Sequence, residues 1–407
     1  MLSLLVPLFL AAAPGGEGDE YVVRPFKKIV ISDKFWAEGA HFADFNKDGK
    51  MDVVGGPYWY EGPDFQKAHE VYAPQAYDKE KYSKNFLTFT YDVNGDGWAD
   101  IVVLGFPGED GSWFENPKGQ EGRWKKTVIL DCVENESPTF DDLTGDKKPE
   151  IICGSKGFIG YATLDGKFHA ITPKDPKKYQ RYTHGLGFGD VNGDGKNDIL
   201  EKDGWWEQPA SLEGDPVWTK HDEKFGEAPA QLCVFDVDGD GDNDIVTSLH
   251  CHMWGLAWFE NVKEGGKVAF KKHMIMGSKP EENKYGVKFS QLHAFDVVDM
   301  DGDGVKDFVT GKRHFAHGSK GDAEPLAPAV VYWFKTVRSK EGVDFIPYLI
   351  DDDSGVGTQV VAGDLNGDKN PDVVVGNKKG VFAFIQEPKK VSKAEWEKAQ
   401  PKPYQKP

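Results

Sequence analysis

Short apolar runs recur along the chain, and each follows an acidic loop. Runs such as DIVVLG and DVVVGN are rich in β-branched residues, and an aromatic segment such as YWYEGP, SWFENP, GWWEQP, AWFENV or VYWFK comes next. Such runs, bounded by Gly, Asn and Asp, are typical of strands. No stretch keeps a sustained helical period. The pattern therefore predicts an all-β protein.

The acidic loops repeat, and the first Asp of each loop serves as a marker. The markers are Asp44, Asp92, Asp142, Asp190, Asp236, Asp299 and Asp364, spaced 46 to 65 residues apart. Each repeat supplies four short strands: one leading into the loop, the β-branched run, the aromatic segment and a closing phrase such as WKKTVIL. Four-stranded units at this period are typical of propeller blades. Seven copies predict seven blades.

The last repeat is one strand short, because it stops after GVFAFIQEP. The segment FKKIVIS, residues 26–32, precedes the first acidic loop and has no unit of its own. We expect it to complete the last blade and close the ring, since closure leaves no open sheet edge. The predicted propeller then spans residues 22–388, and the Lys- and Pro-rich tail of residues 389–407 lies outside it.

The N-terminal sequence MLSLLVPLFLAAA is apolar, ends in small residues and precedes the polar PGGEGDE. It predicts a secretory signal within a leader of residues 1–18, cleaved near Ala13. The run is too short to span a membrane, and no later segment is long and apolar enough. We expect a secreted or periplasmic protein. Nothing in the sequence indicates its oligomeric state.

Charge and cysteine usage narrow the choice of partners. The 407-residue chain has a net charge of -18, which argues against nucleic acid because such partners require a basic face. The four cysteines show no CxxC spacing, so neither zinc binding by cysteines nor thioredoxin-like chemistry has support. Disulfides and buried free thiols both remain open.

The acidic loops have the composition of calcium sites. In D-x-[DN]-x-D-G-x-x-D the alternating oxygens converge, Gly permits the turn and the last Asp closes the ligand sphere. Five copies fit in full: Asp44, Asn46, Asp48 and Asp52; Asp92, Asn94, Asp96 and Asp100; Asp190, Asn192, Asp194 and Asp198; Asp236, Asp238, Asp240 and Asp244; Asp299, Asp301, Asp303 and Asp307. The third and seventh copies depart, with Lys147 and Lys369 in place of Gly and Glu150 as last ligand of the third.

The loops resemble those of the FG-GAP and VCBS repeat families, and the resemblance covers nearly the whole chain after the leader. It implies a propeller with calcium held between the first two strands of a blade. It implies little about activity, because such repeats occur in adhesins, receptors, lectins and polysaccharide lyases. We expect the calcium ions to be structural, because an ion that ties two strands together stabilises the blade and does no chemistry.

The candidate chemistry lies at the opposite ends of the innermost strands. Six residues before each marker stand Glu38, Phe86, Glu136, His184, Ala230, His293 and Thr358. Two connections on the same face add SLHCHMWG, with His250, His252 and Trp254, and the long GKRHFAHGSKGDAEPLAPA, with Arg313, His314 and His317. Long loops at one mouth are common binding elements. We predict a polar pocket there.

We assign roles within this pocket as hypotheses. The predicted catalytic residues are His184, His293, Glu136, Arg313 and His314. Glu38, His250 and His252 are the candidate ligands of a second divalent metal, because imidazole and carboxylate suit zinc, manganese or iron. Residues expected to contact a carbohydrate or glycoside are Tyr182, Trp254, Tyr285 and His317.

A second resemblance bears on the reaction. The segments YTHGLGFGDVNGDGKNDIL, SQLHAFDVVDMDGDG and GKRHFAHG are similar to the propeller part of aldos-2-ulose dehydratase, whose cupin domains this chain has no room for. The resemblance implies abstraction of a proton next to a carbonyl, followed by loss of a β-oxygen. The leading hypothesis is a carbohydrate lyase or dehydratase. The alternatives are a module that binds glycan or protein without catalysis and a structural surface protein.

Overall fold

The computed structural model describes residues 21–265 and 267–406, and the predicted signal and leader lie outside them. Within these two ranges the fold is all-β, with six sheets, one short helix, α1 (Lys393–Ala399), and one 3₁₀ turn (Pro280–Glu282). No helix in the described ranges has the length and apolar character needed to cross a membrane.

Within each repeat the strands follow one another in antiparallel, up-and-down order. Two strands come first, β1 (Val22–Val23) and β2 (Phe26–Ser32). The first sheet contains β3 (Ala40–Ala43), β4 (Asp52–Gly55), β5 (Tyr58–Tyr60) and β6 (Ala68–Glu70). The second sheet contains β7 (Asn85–Tyr91), β8 (Asp100–Gly105), β9 (Glu109–Glu115), β10 (Lys125–Asp141), β11 (Glu150–Ser155), β12 (Phe158–Ala162) and β13 (Phe168–Ala170).

The remaining sheets continue the same order. The third sheet contains β14 (Leu186–Gly189), β15 (Asp198–Glu201), β16 (Gly204–Glu207), β17 (Thr219–Asp222), β18 (Gln231–Phe235), β19 (Asp244–Ser248), β20 (Leu256–Glu264) and β21 (Lys267–Met276). The fourth contains β22 (Leu292–Val298), β23 (Asp307–Lys312), β24 (Val331–Ser339) and β25 (Gly342–Asp351). The fifth contains β26 (Val360–Gly363), β27 (Asp372–Asn377), β28 (Gly380–Gln386) and β2, and a two-stranded ribbon pairs β1 with β29 (Lys389–Lys390).

Two sheets are larger than the four strands that the sequence repeat predicts. The 17-residue strand β10 pairs first with β9 and then with β11, and its register shifts between Glu134 and Thr139. The chain here passes from one repeat to the next without a loop, so the backbone stays extended and joins both repeats. In the third sheet, β14 and β18 pair in parallel through Leu186 and Gln231.

The N-terminal strand β2 pairs with β28 of the fifth sheet. The antiparallel register runs from Phe26 opposite Gln386 to Ser32 opposite Val381. The hydrophobic core lies between neighbouring sheets, and one part of it joins the first sheet to the fifth, where Val53 and Tyr60 pack with Val374 and Val381. Strands buried on both faces explain why the β-branched runs are continuously apolar.

A repeated polar contact, which we call the carboxylate clasp, joins four of the seven acidic loops to the loop before them. Asp244, at the end of the fifth loop, accepts the backbone N–H of Val237 at 3.0 Å and of Asn261 at 2.7 Å. The Asn261 side chain donates to the carbonyls of Asn243 at 3.0 Å and of Val191, in the preceding loop, at 2.9 Å. The same contacts recur at Asp100 with Asn116, Asp198 with Gln208, and Asp372 with Gln386.

The clasp predicts a clear loss of stability in Asn261→Ala. The substitution leaves two buried carbonyls without donors, which costs about 1–3 kcal/mol of unfolding free energy, measured by urea unfolding. The control is Gln66→Ala, because that exposed side chain bonds only to Asp64 in its own turn and should change stability by less than about 0.5 kcal/mol. Equal losses in both variants would contradict the role of the clasp.

Candidate functional site

The first strand of each repeat begins at the end opposite its acidic loop. These beginnings meet at one open end of the fold, which we call a mouth. Backbone bonds join neighbouring starts: Glu38 N–H donates to Asn85, Thr358 N–H to Glu38, and Glu136 N–H to Thr183, all at 2.8 to 2.9 Å. The residues six positions before each marker therefore lie side by side, as the spacing predicts.

A buried ion pair lies at the floor of this mouth. The Arg313 guanidinium contacts Glu38 through Nε at 3.0 Å and through Nη2, and both side chains are at most 2% exposed. Its Nη1 lies 4.0 Å from Oε2 of Glu136. Burial disfavours the charge on Arg313, but Glu38 and Glu136 outweigh it and raise the pKa of the guanidinium. Arg313 is thus a fixed cation that the two carboxylates hold in place.

Three imidazoles, which we call the histidine cluster, lie above the ion pair: His184, His252 and His293. The Nε2 atoms of His184 and His252 are 2.8 Å apart. The His252 ring centroid is 4.7 Å from those of both His184 and His293. His252 and His293 are buried, whereas His184 is partly exposed. One potential ligand atom of each, together with one of Cys251, fits within a span of 4.8 Å.

Glu136 lies between the cluster and Arg313. Its Oε2 is 3.5 Å from Nε2 of His184. Burial alone would raise the pKa of Glu136, but the hydrogen bond with His184 and the charges of His184 and Arg313 prevail and lower it. The carboxylate is therefore ionised at neutral pH.

The long connection of residues 313–330 covers one side of the cluster. Its Asp322 accepts a bond from Nδ1 of His317 at 2.8 Å and lies 3.5 Å from Nδ1 of His252. Burial would raise the pKa of Asp322, but the bonds from His252 and His317 hold it well below its usual range. The tip is tied across the mouth by Ser319 N–H, which donates to Glu80 at 3.0 Å.

Several residues assigned to the pocket lie outside the cluster. His314 stacks on Phe315, and burial together with nearby lysines lowers its pKa to about 4. The Tyr285 hydroxyl donates to Asp344 at 2.6 Å at the outer edge of the fourth sheet. His250 bonds the backbone N–H of His252 through Nδ1.

Two of the residues expected to contact sugar remain beside the mouth. Tyr182 is 49% exposed, and its carbonyl bonds Nδ1 of His184. His317 is exposed above His252, with ring centroids 4.3 Å apart. Trp254 instead lies beside Glu324 in the covering connection.

Sequence reasoning missed Cys251, Asp322 and Tyr82. A signal existed for the first two, because Cys251 lies within the HCH motif and Asp322 lies five residues after His317. Tyr82 gave no signal, since it lies in the irregular connection before β7. Its side chain lies near the charges of Arg313 and Glu136, and burial raises its pKa to about 12.

The acidic loops at the other mouth share one backbone conformation. Lys147 and Lys369 take the left-handed φ of the expected glycine, 69° and 72°, and their N–H groups bond Asp142 and Asp364 at 2.9 Å. The departures from the motif therefore keep the loop shape.

Carboxylate oxygens in the fifth and sixth loops fit a hard cation. Asp236, Asp238 and Asp244 bring one oxygen each within 4.8 Å, and so do Asp299, Asp301 and Asp303. The sixth loop has a competitor, because the Lys335 ammonium contacts Asp301 and lies 2.9 Å from Asp303. The last Asp of each full loop is buried in the clasp, and burial raises the pKa of Asp244 to about 7.

The ion pair predicts that replacing Arg313 alone destabilises the protein more than replacing Arg313 and Glu38 together. Arg313→Met should cost about 3–5 kcal/mol of unfolding free energy, because it leaves Glu38 buried without its cation. Adding Glu38→Gln removes that charge and should restore a large part of the loss. Chemical unfolding measures both, and a double variant less stable than Arg313→Met would contradict this reasoning.

The comparisons with known proteins identify the repeats. The model of the FG-GAP-like repeat matches residues 92–153 and 142–201, and that of the FG-GAP repeat matches residues 356–381. No curated protein matches the chain.

Several solved structures are similar at low identity. A lectin of Agrocybe aegerita that recognises non-reducing terminal N-acetylglucosamine is 17% identical, with 83% of this chain and 81% of that chain covered and a TM-score of 0.45. The biofilm matrix protein Bap1 of V. cholerae is 12% identical, covering 91% and 84%, with a TM-score of 0.42. The rhamnogalacturonan lyase YesW is 14% identical, covering 93% and 74%, with a TM-score of 0.41. The matched repeats and the all-β fold together identify the chain as a β-propeller that contains FG-GAP repeats.

Proposed function

We propose that the strands form a ring of seven four-stranded blades closed by β2. In this arrangement β10 is the outer strand of one blade and the inner strand of the next, and β14 and β18 are the inner strands of adjacent blades. The pairing of β2 with β28 supports closure, as does the packing of the first sheet on the fifth. Closure protects the sheet edges.

The five full acidic loops bind calcium as structural ions in this proposal, and the protein is exported. The support is the convergence of carboxylate oxygens in the fifth and sixth loops and the apolar segment MLSLLVPLFLAAA. The second, fourth and fifth loops are joined by the clasp to the preceding loop, so an ion there stiffens the contact between blades. Calcium then takes no part in the chemistry at the opposite mouth.

Calcium removal should lower the melting temperature. When the free calcium concentration is 100 times the Kd, binding stabilises the folded state by about 2.7 kcal/mol per site. Removing calcium with EGTA should therefore lower the melting temperature by several degrees. Excess calcium, but not magnesium at the same ionic strength, should reverse the shift. A melting temperature that EGTA leaves unchanged would refute the calcium assignment.

The function that the opposite mouth supports best is that of a carbon–oxygen lyase acting on a keto-sugar or an oxidised glycoside. The observation that carries this proposal is the position of an ionised carboxylate, Glu136, between the histidine cluster and the fixed cation Arg313. Glu136 can act as the base, and the cation Arg313 can stabilise negative charge on a carbonyl oxygen. Elimination next to a carbonyl requires both groups.

The reaction can be written with the groups present. Glu136 takes the proton from the carbon next to the carbonyl, and the electron pair moves onto the carbonyl oxygen, whose negative charge Arg313 stabilises. As the carbonyl re-forms, the bond to the β-oxygen breaks. The departing oxygen takes the proton from Glu136 and leaves as water or an alcohol. No oxidant or reductant is needed.

The alternative is a module that binds glycan without catalysis. One observation favours it: Tyr182, half exposed at the mouth, offers a face on which a sugar ring can stack. The two functions differ in what they require of Glu136, because a stacking site tolerates loss of its charge.

Glu136→Gln should abolish elimination while keeping the shape of the site. Loss of the base should slow formation of the unsaturated, ultraviolet-absorbing product by about 100-fold or more on the best substrate of a keto-sugar panel. The matched control is Glu134→Gln, two residues away on the same strand, which should retain activity. If no panel member is converted and both variants bind the same glycan as the wild type in calorimetry, the protein is a binding module.

A further inference from the structure

Two rings of the histidine cluster are held through Nδ1 by backbone carbonyls, His184 by that of Tyr182 at 3.0 Å and His293 by that of Gln291 at 3.3 Å. A carbonyl at this position accepts the Nδ1 proton and leaves Nε2 as the nitrogen that can bind a metal ion. His252 differs, because its Nδ1 lies 3.5 Å from the Asp322 carboxylate and has no hydrogen-bond partner among the described residues.

The buried ring nitrogens of the cluster are not all paired. The Nε2 atoms of His184 and His252 are 2.8 Å apart and can share one proton, whereas Nε2 of His293 and Nδ1 of His252 are buried without hydrogen-bond partners among the described residues. A buried polar nitrogen without a partner is costly, and a proton on His293 would make a second buried cation beside Arg313. A metal ion bound by the three rings would supply the missing partner.

We propose that His184, His252 and His293 hold a late first-row divalent metal ion, zinc or a chemically similar ion, with the Cys251 thiolate as the fourth donor. One ligand atom of each of the four residues lies within 4.8 Å of the others, so small side-chain movements bring them to the roughly 3.3–3.8 Å separations that tetrahedral bonds of about 2.0–2.3 Å require. Imidazole and thiolate donors select such ions over calcium and magnesium. This donor set differs from the Glu38 and His250 of the sequence hypothesis, since Glu38 pairs with Arg313.

A second layer of contacts holds the donors in place. Gln291 adopts a left-handed φ of 60°, receives the N–H of Arg313 at 2.9 Å and donates through Nε2 to Ala323 at 2.9 Å. Ala323 N–H in turn donates to the His252 carbonyl at 3.1 Å. Asp322 orients His252, so the long connection of residues 313–330 completes the site. Its length is thereby explained.

The inference deepens the proposed elimination and rests on it for the purpose of the site. A bound metal ion supplies a Lewis acid that polarises a carbonyl oxygen, and such four-coordinate ions expand to five. The chain's own residues keep the tasks already described: Glu136 moves the proton, and Arg313 fixes Glu136 and Glu38.

Metal binding can be tested without substrate. The whole protein is stripped with a transition-metal chelator, reloaded with zinc chloride or cobalt chloride in excess calcium, desalted and analysed by elemental mass spectrometry. We expect one zinc or cobalt per chain, and visible cobalt bands together with a near-ultraviolet thiolate band. His252→Ala and His293→Ala should lose the metal, and Cys251→Ser should lose the thiolate band.

The control is His221→Ala, which changes a histidine stacked on Trp205 and paired with Glu207 far from the mouth. It should keep one metal per chain. If the alanine variants fail to fold, Asp322→Asn serves instead, and it should weaken zinc binding by about 10–100-fold. Absence of zinc and cobalt from the wild type, or their retention in folded His252→Ala, overturns the proposal.

The outcomes separate this site from the proposed reaction. A protein that holds zinc through these residues but converts no sugar retains the metal site and loses the elimination. A protein that eliminates at full rate after stripping retains the reaction without a part for the metal, while the metal site itself is still decided by the zinc or cobalt content.

Discussion

The carboxylate clasp is the contact on which the rest of the structure depends. One carboxylate, such as that of Asp244, accepts two backbone N–H groups from segments far apart in sequence, and the amide of Asn261 then reaches the preceding loop. Charged hydrogen bonds of this kind are stronger than neutral ones. The contact recurs in four of the seven repeats, and it fixes the position of each of these four relative to the repeat before it.

The acidic loops at one mouth keep a common shape, whereas the side chains at the other mouth differ from repeat to repeat. The acidic loops keep their shape even where Lys147 or Lys369 replaces Gly, because the first Asp still binds the same backbone N–H. At the opposite strand ends the described residues show no repeated clasp, and the chain places Glu38, Glu136, His184 and His293 there. The long connection after β23 is tolerated at this mouth and adds Arg313 and Asp322. A uniform frame thus presents a non-uniform set of side chains.

Much of the site was predicted from the spacing of residues along the sequence. The six-residue offset placed Glu136, His184 and His293 at one mouth, and the structure brings them together with His252 and Arg313. The pairing of β2 with the last sheet also followed from an orphan strand and a missing one. The spacing did not reveal contacts with distant parts of the chain. Glu38 was a candidate metal ligand, but it pairs with Arg313, 275 residues away. Tyr285 looked like a pocket residue but bonds Asp344 at the outer edge.

The sequence by itself determined the local elements: strands from β-branched and aromatic runs, loop shape from Asp and Gly, and the face on which each strand begins. These depend on interactions within a few residues, which any copy of the repeat reveals. Only the tertiary structure decided which side chains meet. His252 has the charge of Asp322, 70 residues further along, 3.5 Å from its Nδ1, and His293 is held by the carbonyl of Gln291, whose backbone has a left-handed φ of 60°. Such contacts depend on how distant segments pack, and no local pattern encodes that.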